Sequence, residues 1–168
     1  MIDLPRAIAS LAESRDLSSQ EMEQVMSIVM RGEATPAQIG AFVIALRIKG
    51  EAVGELAAAA RVVRKFATEV VVNSEHVVDI VGTGGDGARL FNVSTASALV
   101  AAGAGVVIAK HGNRAVTGNT GSADLLEAGG VNIDLTPEQV SETIEAIGIG
   151  YMFAPAHHGA FRHLVGPR

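Results

Sequence analysis

The chain has 168 residues, with 13 Lys+Arg against 18 Asp+Glu, a formal net charge of −5, 19 glycines and no cysteine. The length suits one large domain or one and a half small ones. The missing cysteines exclude a disulfide scaffold and any thiolate-held metal centre, and the net acidity argues against a nucleic-acid partner, which calls for a basic stripe. No apolar targeting segment follows Met1–Arg6, and the longest weakly polar run, Ala96–Ala109, is shorter than the ~20 apolar residues of a membrane span. The chain therefore reads as soluble and cytoplasmic, with no membrane partner.

Residues 1–67 read as helix after helix. Leu4, Ile8 and Leu11 share a face. Ser18 with Glu21 forms a capping box ahead of an apolar stripe of Met22, Val25, Met26, Val29 and Met30, and Gly32 is a stop. Thr35-Pro36-Ala37-Gln38 is a second start signal, with Ile39, Phe42, Val43 and Leu46 as its face and Gly50 as its end. A fourth helix is expected from Val53 to Ala67, turning Leu56, Ala60, Val63 and Phe66 inward. Four short amphipathic helices make a small bundle, and the methionine-rich face of the second suits a subunit interface.

From Thr68 the pattern becomes α/β. Val77–Val81 is a strand ending in glycines, Asn92–Ala102 a helix, Val106–Ala109 a buried-type strand, and Ser122–Ala128 a short helix closed by Gly129-Gly130. Thr136-Pro137-Glu138-Gln139 starts a helix running to Ile147, Gly150–Phe153 is a third strand, and His157–Leu164 supplies a last helical turn or two. Strands alternating with helices imply a parallel sheet, and ligands of such sheets sit beyond the carboxyl ends of the strands.

The polar clusters fall at those ends. Gly82-Thr83-Gly84-Gly85-Asp86-Gly87 holds four glycines in six residues, which lets backbone N–H groups converge on an anion. The helix near Asn92 adds its N-terminus, with Asn92, Ser94 and Thr95 as donors. A tight strand–helix turn capped by Asn92 is the plainer alternative. The embedded G-x-G-x-x-G lacks the acidic residue a dinucleotide site needs at the end of the next strand; Lys110-His111 stands there instead. The basic group Lys110-His111-Gly112-Asn113-Arg114 beside a glycine loop points to a polyphosphate, against the alternative of a solvated loop. Gly118-Asn119-Thr120-Gly121-Ser122 is a second phosphate cradle with Ser122 as N-cap, or an ordinary cap and loop. His157-His158 with His163 and Arg168 is a substrate-facing loop, an exposed turn or, with no carboxylate at ligand spacing, a metal site.

Together Asp79–Asp86 (DIVGTGGD), Asn92–Ala96 (NVSTA), Lys110–Val116 (KHGNRAV) and Gly121–Glu127 (GSADLLE) resemble the anthranilate phosphoribosyltransferase family. The resemblance runs over nearly the whole chain and includes His158 and Arg168. It implies a small N-terminal helical bundle (1–67) plus part of a parallel-sheet α/β domain (68–168) of the nucleoside phosphorylase/phosphoribosyltransferase type. The implied reaction moves phosphoribosyl from phosphoribosyl pyrophosphate (PRPP) to the amine of anthranilate, with Mg²⁺, and the implied assembly is a homodimer through the helical domain. The motifs assign PRPP to Gly82, Gly85, Asp86, Asn92, Val93, Ser94, Thr95, Lys110, His111, Gly112, Asn113 and Ser122. They assign anthranilate to Asn113, His158 and Arg168, and place Ser94 near the metal. The sequence departs from the family at Leu90, at Thr117-Gly118-Asn119-Thr120 and at His158-Gly159-Ala160-Phe161. The family's acidic Asp-Glu pair falls in a second half beyond Arg168, so this stretch by itself is expected to have low or no activity and to form a binding or assembly module.

Overall fold

The computed structural model describes residues 2–82, 91–115 and 120–166. The expected contacts Gly85, Asp86 and Arg168, and the departures at Leu90 and Thr117-Gly118-Asn119, lie outside them. By packing, the described residues divide into a helical unit, residues 2–67 with the segment from His158 onward, and an α/β unit, Thr68–His157. No helix among the described residues is long and apolar enough to cross a membrane.

The helical unit starts from its caps. Helix α1 (Leu4–Ala12) opens with Asp3, whose carboxylate accepts from the Arg6 amide. In α2 (Ser19–Met30) the Glu21 amide donates to Ser18 Oγ while the Ser18 amide donates to the Glu21 carboxylate. Thr35 and Gln38 repeat this reciprocal pairing at α3 (Pro36–Lys49). Such caps satisfy otherwise orphaned donors and contribute about 1 kcal/mol each. Gly32, past the end of α2, has φ +72° and lies against the His163 imidazole, where a Cβ would stand 2.8 Å from Nε2.

The core of this unit joins Leu4, Ala7 and Leu11 to Met22, Val25, Met26, Val29 and Met30, with Ile39, Phe42, Ala58 and Val62. The methionine-rich face of α2 is therefore interior and not the interface expected from the sequence, because α1 and α4 leave no solvent side for it. The large apolar side chains left exposed on neighbouring helices are Ile44 and Ile48 on α3, and Val53 and Leu56 on α4 (Val53–Phe66). Helix α4 is also turned from the expected face: Leu56 and Ala60 are exposed, and Glu55, Ala58 and Val62 are buried.

The cause of that rotation is a buried ion pair. Glu55, 1% exposed, accepts from the Leu17 amide at 2.9 Å, the Ala52 amide at 2.8 Å and Lys49 Nζ at 2.9 Å. Lys49 Nζ also donates to Asp16 and to the Gly50 carbonyl. One carboxylate thus ties the α1–α2 connection, the end of α3 and the start of α4. Burial alone would raise its pKa, but the Lys49 contact and the two amides outweigh burial and lower it.

In the α/β unit, strands β1 (Val77–Val78), β2 (Val107–Gly112) and β3 (Ile149–Phe153) form a parallel sheet in that order. Helix α5 (Val93–Gly103) follows β1, and α6 (Ser122–Ala128) and α7 (Pro137–Ile147) join β2 to β3. Ala109 faces Val140 and Ile144 of α7, while Tyr151 packs with Ala123 and Ile133. Two bounds differ from expectation. β1 ends after two residues, and β2 runs on through Lys110, His111 and Gly112, expected to be loop. Beyond Val78 the backbone ladder gives way to side-chain bonds: the His111 amide donates to Asp79 Oδ1 at 3.1 Å, and Lys110 Nζ donates to the Ile80 carbonyl at 2.7 Å. After β3 come α8 (Ala154–His157), a 3₁₀ turn (Gly159–Phe161) and α9 (Arg162–Val165). Ala160, Phe161 and Leu164 pack on the helical core, so the second compact unit ends at His157 and not at the expected residue 168.

The Glu55 cluster sets the acid stability of the helical unit. A carboxylate whose folded pKa is lowered contributes stability above its unfolded value, about 4.3, and loses it as pH falls through the folded value. Urea denaturation is expected to show stability falling below about pH 4. Glu55→Ala, which strands a buried cation, should cost about 3 kcal/mol at neutral pH and flatten that acid limb.

Candidate functional site

The site grows from the carboxyl ends of β1 and β2. Lys110 is 3% exposed inside β2, and among the described residues its hydrogen-bond partner is the Ile80 carbonyl. Burial lowers its pKa, with the Asp79 carboxylate working the other way. A protonated ammonium carries three donors, and one carbonyl leaves two of them for an anion.

Gly82 continues from β1 toward the start of α5. Ser94 Oγ stands 3.6 Å from where a Cβ on Gly82 would lie, so the strand's exit and the helix's first turn meet there. Asn92 caps α5: its Oδ1 accepts from the Thr95 amide at 3.1 Å, leaving its side-chain N–H groups as donors. Thr95 is buried, and its Oγ1 has no hydrogen-bond partner among the described residues. That hydroxyl and Lys110 border a cavity of about 180 Å³ whose other walls include Ala98, Leu99, Leu126 and Tyr151. Apolar walls make the cavity unfit for a polyphosphate, which leaves the open strand ends as the anion locus.

Asn113 and Arg114 follow β2, and the chain returns at Gly121. The approach is backbone to backbone: a Cβ on Gly121 would collide with the Ala115 nitrogen and the Asn113 carbonyl. Asp124 closes this loop, accepting from the Ala115 amide at 2.9 Å and the Gly121 amide at 2.7 Å through one oxygen. Those bonds hold the Asp124 pKa down. Arg114 pairs with both oxygens of Glu127, reaches Asp124 at 3.4 Å and lies 5.6 Å over the Phe153 ring.

The basic group is thus not uniform. Lys110 is inward and underbonded, while Arg114 is neutralised by its own helix. The second cradle also differs from expectation. Gly121, not Ser122, is the N-cap of the seven-residue α6, and an internal carboxylate already occupies the amides an anion would use. Ser122 Oγ donates to the Asn113 carbonyl at 3.3 Å and shares a 3.0 Å bond with Tyr151 Oη. Burial pushes the Tyr151 hydroxyl up. Gly112 belongs to the same contact, since a Cβ there would stand 2.8 Å from Tyr151 Oη.

The histidines do not gather. His157 is buried in the α/β unit with Nδ1 3.1 Å from the Phe153 carbonyl, while His158, in the helical unit, meets Phe161 edge to face at 5.9 Å. Asn113 belongs to the α/β unit. Among the described residues no three His, Cys, Asp or Glu side chains converge to hold a metal. Mg²⁺ demands oxygen ligands, usually carboxylates with substrate phosphates. Ser94 offers one neutral oxygen, so the described residues do not fit a resident Mg²⁺.

Asp79, Asp124, Glu127 and Tyr151 are the site-shaping residues to which sequence reasoning gave no role. Asp124 had a signal, since it stands three residues beyond Gly121 at a capping-box position.

Comparison with known proteins gives two family matches. Residues 5–67 match the helical bundle domain of a glycosyl transferase family, and residues 74–168 match the a/b domain of that family. An anthranilate phosphoribosyltransferase of Thioalkalivibrio sulfidiphilus is 58% identical over 99% of this chain and 49% of its own length. That of Hahella chejuensis is 54% identical over 99% and 48%. Among solved structures, anthranilate phosphoribosyltransferase from Thermus thermophilus superposes with TM-score 0.86 at 45% identity, covering 96% of this chain and 49% of that one. The Saccharomyces cerevisiae enzyme in complex with PRPP and Mg gives 0.87 at 28% identity, covering 98% and 50%. The chain spans about half the length of the relatives it matches.

If Asp124 is the staple of the loop, its loss frees two amides. Hydrogen exchange of the Ala115 and Gly121 amides should quicken at least about tenfold in Asp124→Ala, with α7 protection unchanged. Equal rates in the two proteins would remove the staple.

Proposed function

Because this chain belongs to the glycosyl transferase family of helical bundle and a/b domains, we propose that it is the PRPP-binding half of an anthranilate phosphoribosyltransferase, a pentosyltransferase of tryptophan biosynthesis. The observation that carries this reading is Lys110, a buried cation with open donors at the end of a parallel strand, beside Gly82 and the first turn of α5.

In the proposed reaction the amine nitrogen of anthranilate attacks C1 of PRPP. The C1–oxygen bond to the diphosphate breaks, its electron pair leaves on pyrophosphate, and the surplus amine proton passes to solvent. Charge gathers on the leaving diphosphate, so donors fixed there lower the barrier. Lys110, the amides at Val93 and Ser94, and the Asn92 side chain are those donors, with the Thr95 hydroxyl beside them. Holding the ribose against the amine supplies the rest. Gly82 gives the diphosphate room, and His111, Gly112 and Asn113 carry the border onward. Ser122 stands behind Asn113, to whose carbonyl it donates. The assignments of Gly85 and Asp86 to PRPP, and of Asn113, His158 and Arg168 to anthranilate, rest on the motifs alone. Mg²⁺ is the metal of this reading, carried by the PRPP phosphates with Ser94 as a protein oxygen. The chain works in the cytoplasm as a homodimer of helical units, for which exposed Ile44, Ile48, Val53 and Leu56 supply the apolar surface.

A second reading, a PRPP-binding or dimerisation module without turnover, draws on the half-length match. A chimera separates the two. Residues 1–168, continued by the second half of the Thioalkalivibrio sulfidiphilus relative, are expected to consume anthranilate, followed by loss of its fluorescence, with one pyrophosphate per turnover. Asn92→Ala should lower kcat/KM about 100-fold. A folded, dimeric chimera with no PRPP-dependent consumption would refute the transferase reading. In the same material, Ile48→Lys is expected to halve the mass measured by light scattering; an unchanged mass would place the subunit contact elsewhere.

A further inference from the structure

The α/β unit carries an apolar surface that its own elements do not cover. Helix α5, VSTASALVAAG, contains no charged residue. A helix without a polar face belongs in an interior, yet only Thr95 and Ala98 of α5 are buried, while Val93, Leu99 and Val100 are 46%, 52% and 74% exposed. Helix α7 makes the contrast, since it turns Glu138, Glu142 and Glu145 to solvent. The sheet edge tells the same story. β1 pairs only with β2 among the described strands, and Val77 and Val78 are 39% and 40% exposed. Parallel sheets are covered on both faces, and natural edges are guarded by charge, proline or a covering element. Val77 and Val78 bring none of these.

We propose that the outer face of α5 and the free edge of β1 form one docking surface. Its occupant is a polypeptide that supplies a parallel strand to β1 and an apolar helix face to α5, namely the part corresponding to the second half of the relatives, held there as a separate chain as well as a continuous one. The length outside the match argues for this occupant, since the relatives carry about as much chain again beyond the matched half. The geometry argues against a second copy. Two copies related by a twofold axis would pair their β1 edges antiparallel, over two residues, and would break the parallel sheet. The inference rests on family membership and not on the PRPP reading, so its test reads assembly instead of turnover.

The test co-expresses tagged residues 1–168, carrying Ile48→Lys to suppress contact through the helical unit, with the untagged second half of the Thioalkalivibrio sulfidiphilus relative. The expected result is a one-to-one complex by light scattering, with β1 and α5 amides newly protected from exchange. Val100→Asp, at an exposed position, should weaken that complex at least tenfold while leaving the melting temperature of the free chain unchanged. Recovery of the tagged chain without the second half would overturn the proposal. So would a complex indifferent to Val100→Asp, or a homodimer of the tagged chain that Val100→Asp dissolves.

Discussion

A cation sealed inside a parallel strand is the constraint on which the site depends. Lys110 occupies a position whose neighbours in β2, Ile108 and Ala109, are core residues. Desolvating an ammonium costs several kcal/mol unless partners replace water, and the Ile80 carbonyl replaces only part of it. That bond, with the one from the His111 amide to Asp79, also ends β1 early and steers the chain into its glycine segment. The strain of a half-satisfied charge and the placement of the anion locus therefore have one origin. Residues that break local rules in this way concentrate at functional sites. Arg114 is the control within the same segment: it is fully paired with Glu127 and holds a loop.

Much of the framework is legible in the sequence because it is local. The caps at Ser18, Thr35, Asn92 and Thr136 are short-range patterns, and each opens a helix in the structure. The parallel sheet follows from the alternation of strands and helices. What periodicity misses is long-range polar bonding. Glu55 looks like a surface glutamate, but three distant donors draw it inward and rotate α4. Val77–Val81 looks like one strand, but side chains from β2 end its ladder after two residues. Ser122 looks like a cap, but Asp124 bonds the amide ahead of it. The lone tyrosine, Tyr151, carries no motif, and only its partnership with Ser122 and Gly112 gives it a role.

Glycine serves two ends here. At Gly82 it opens space beside Ser94 for a ligand, whereas at Gly112 and Gly121 it permits contacts that a side chain would block. Counting glycines therefore overstates the number of anion loops, and the structure leaves one such locus among the described residues, at the ends of β1 and β2. The surface around that locus is of interior type, which fits a domain spanning half the length of its relatives.

The central claim is that Lys110 is kept buried for an anion and not for stability. Titrating PRPP with Mg²⁺ calorimetrically into the wild-type chain and into Lys110→Met tests it most directly. Removing the cation should weaken binding at least about tenfold, the loss of one charge-assisted bond, while the variant melts at or above the wild-type temperature because the desolvation cost is gone. Equal affinities, or no binding by a folded wild-type chain, would contradict the account.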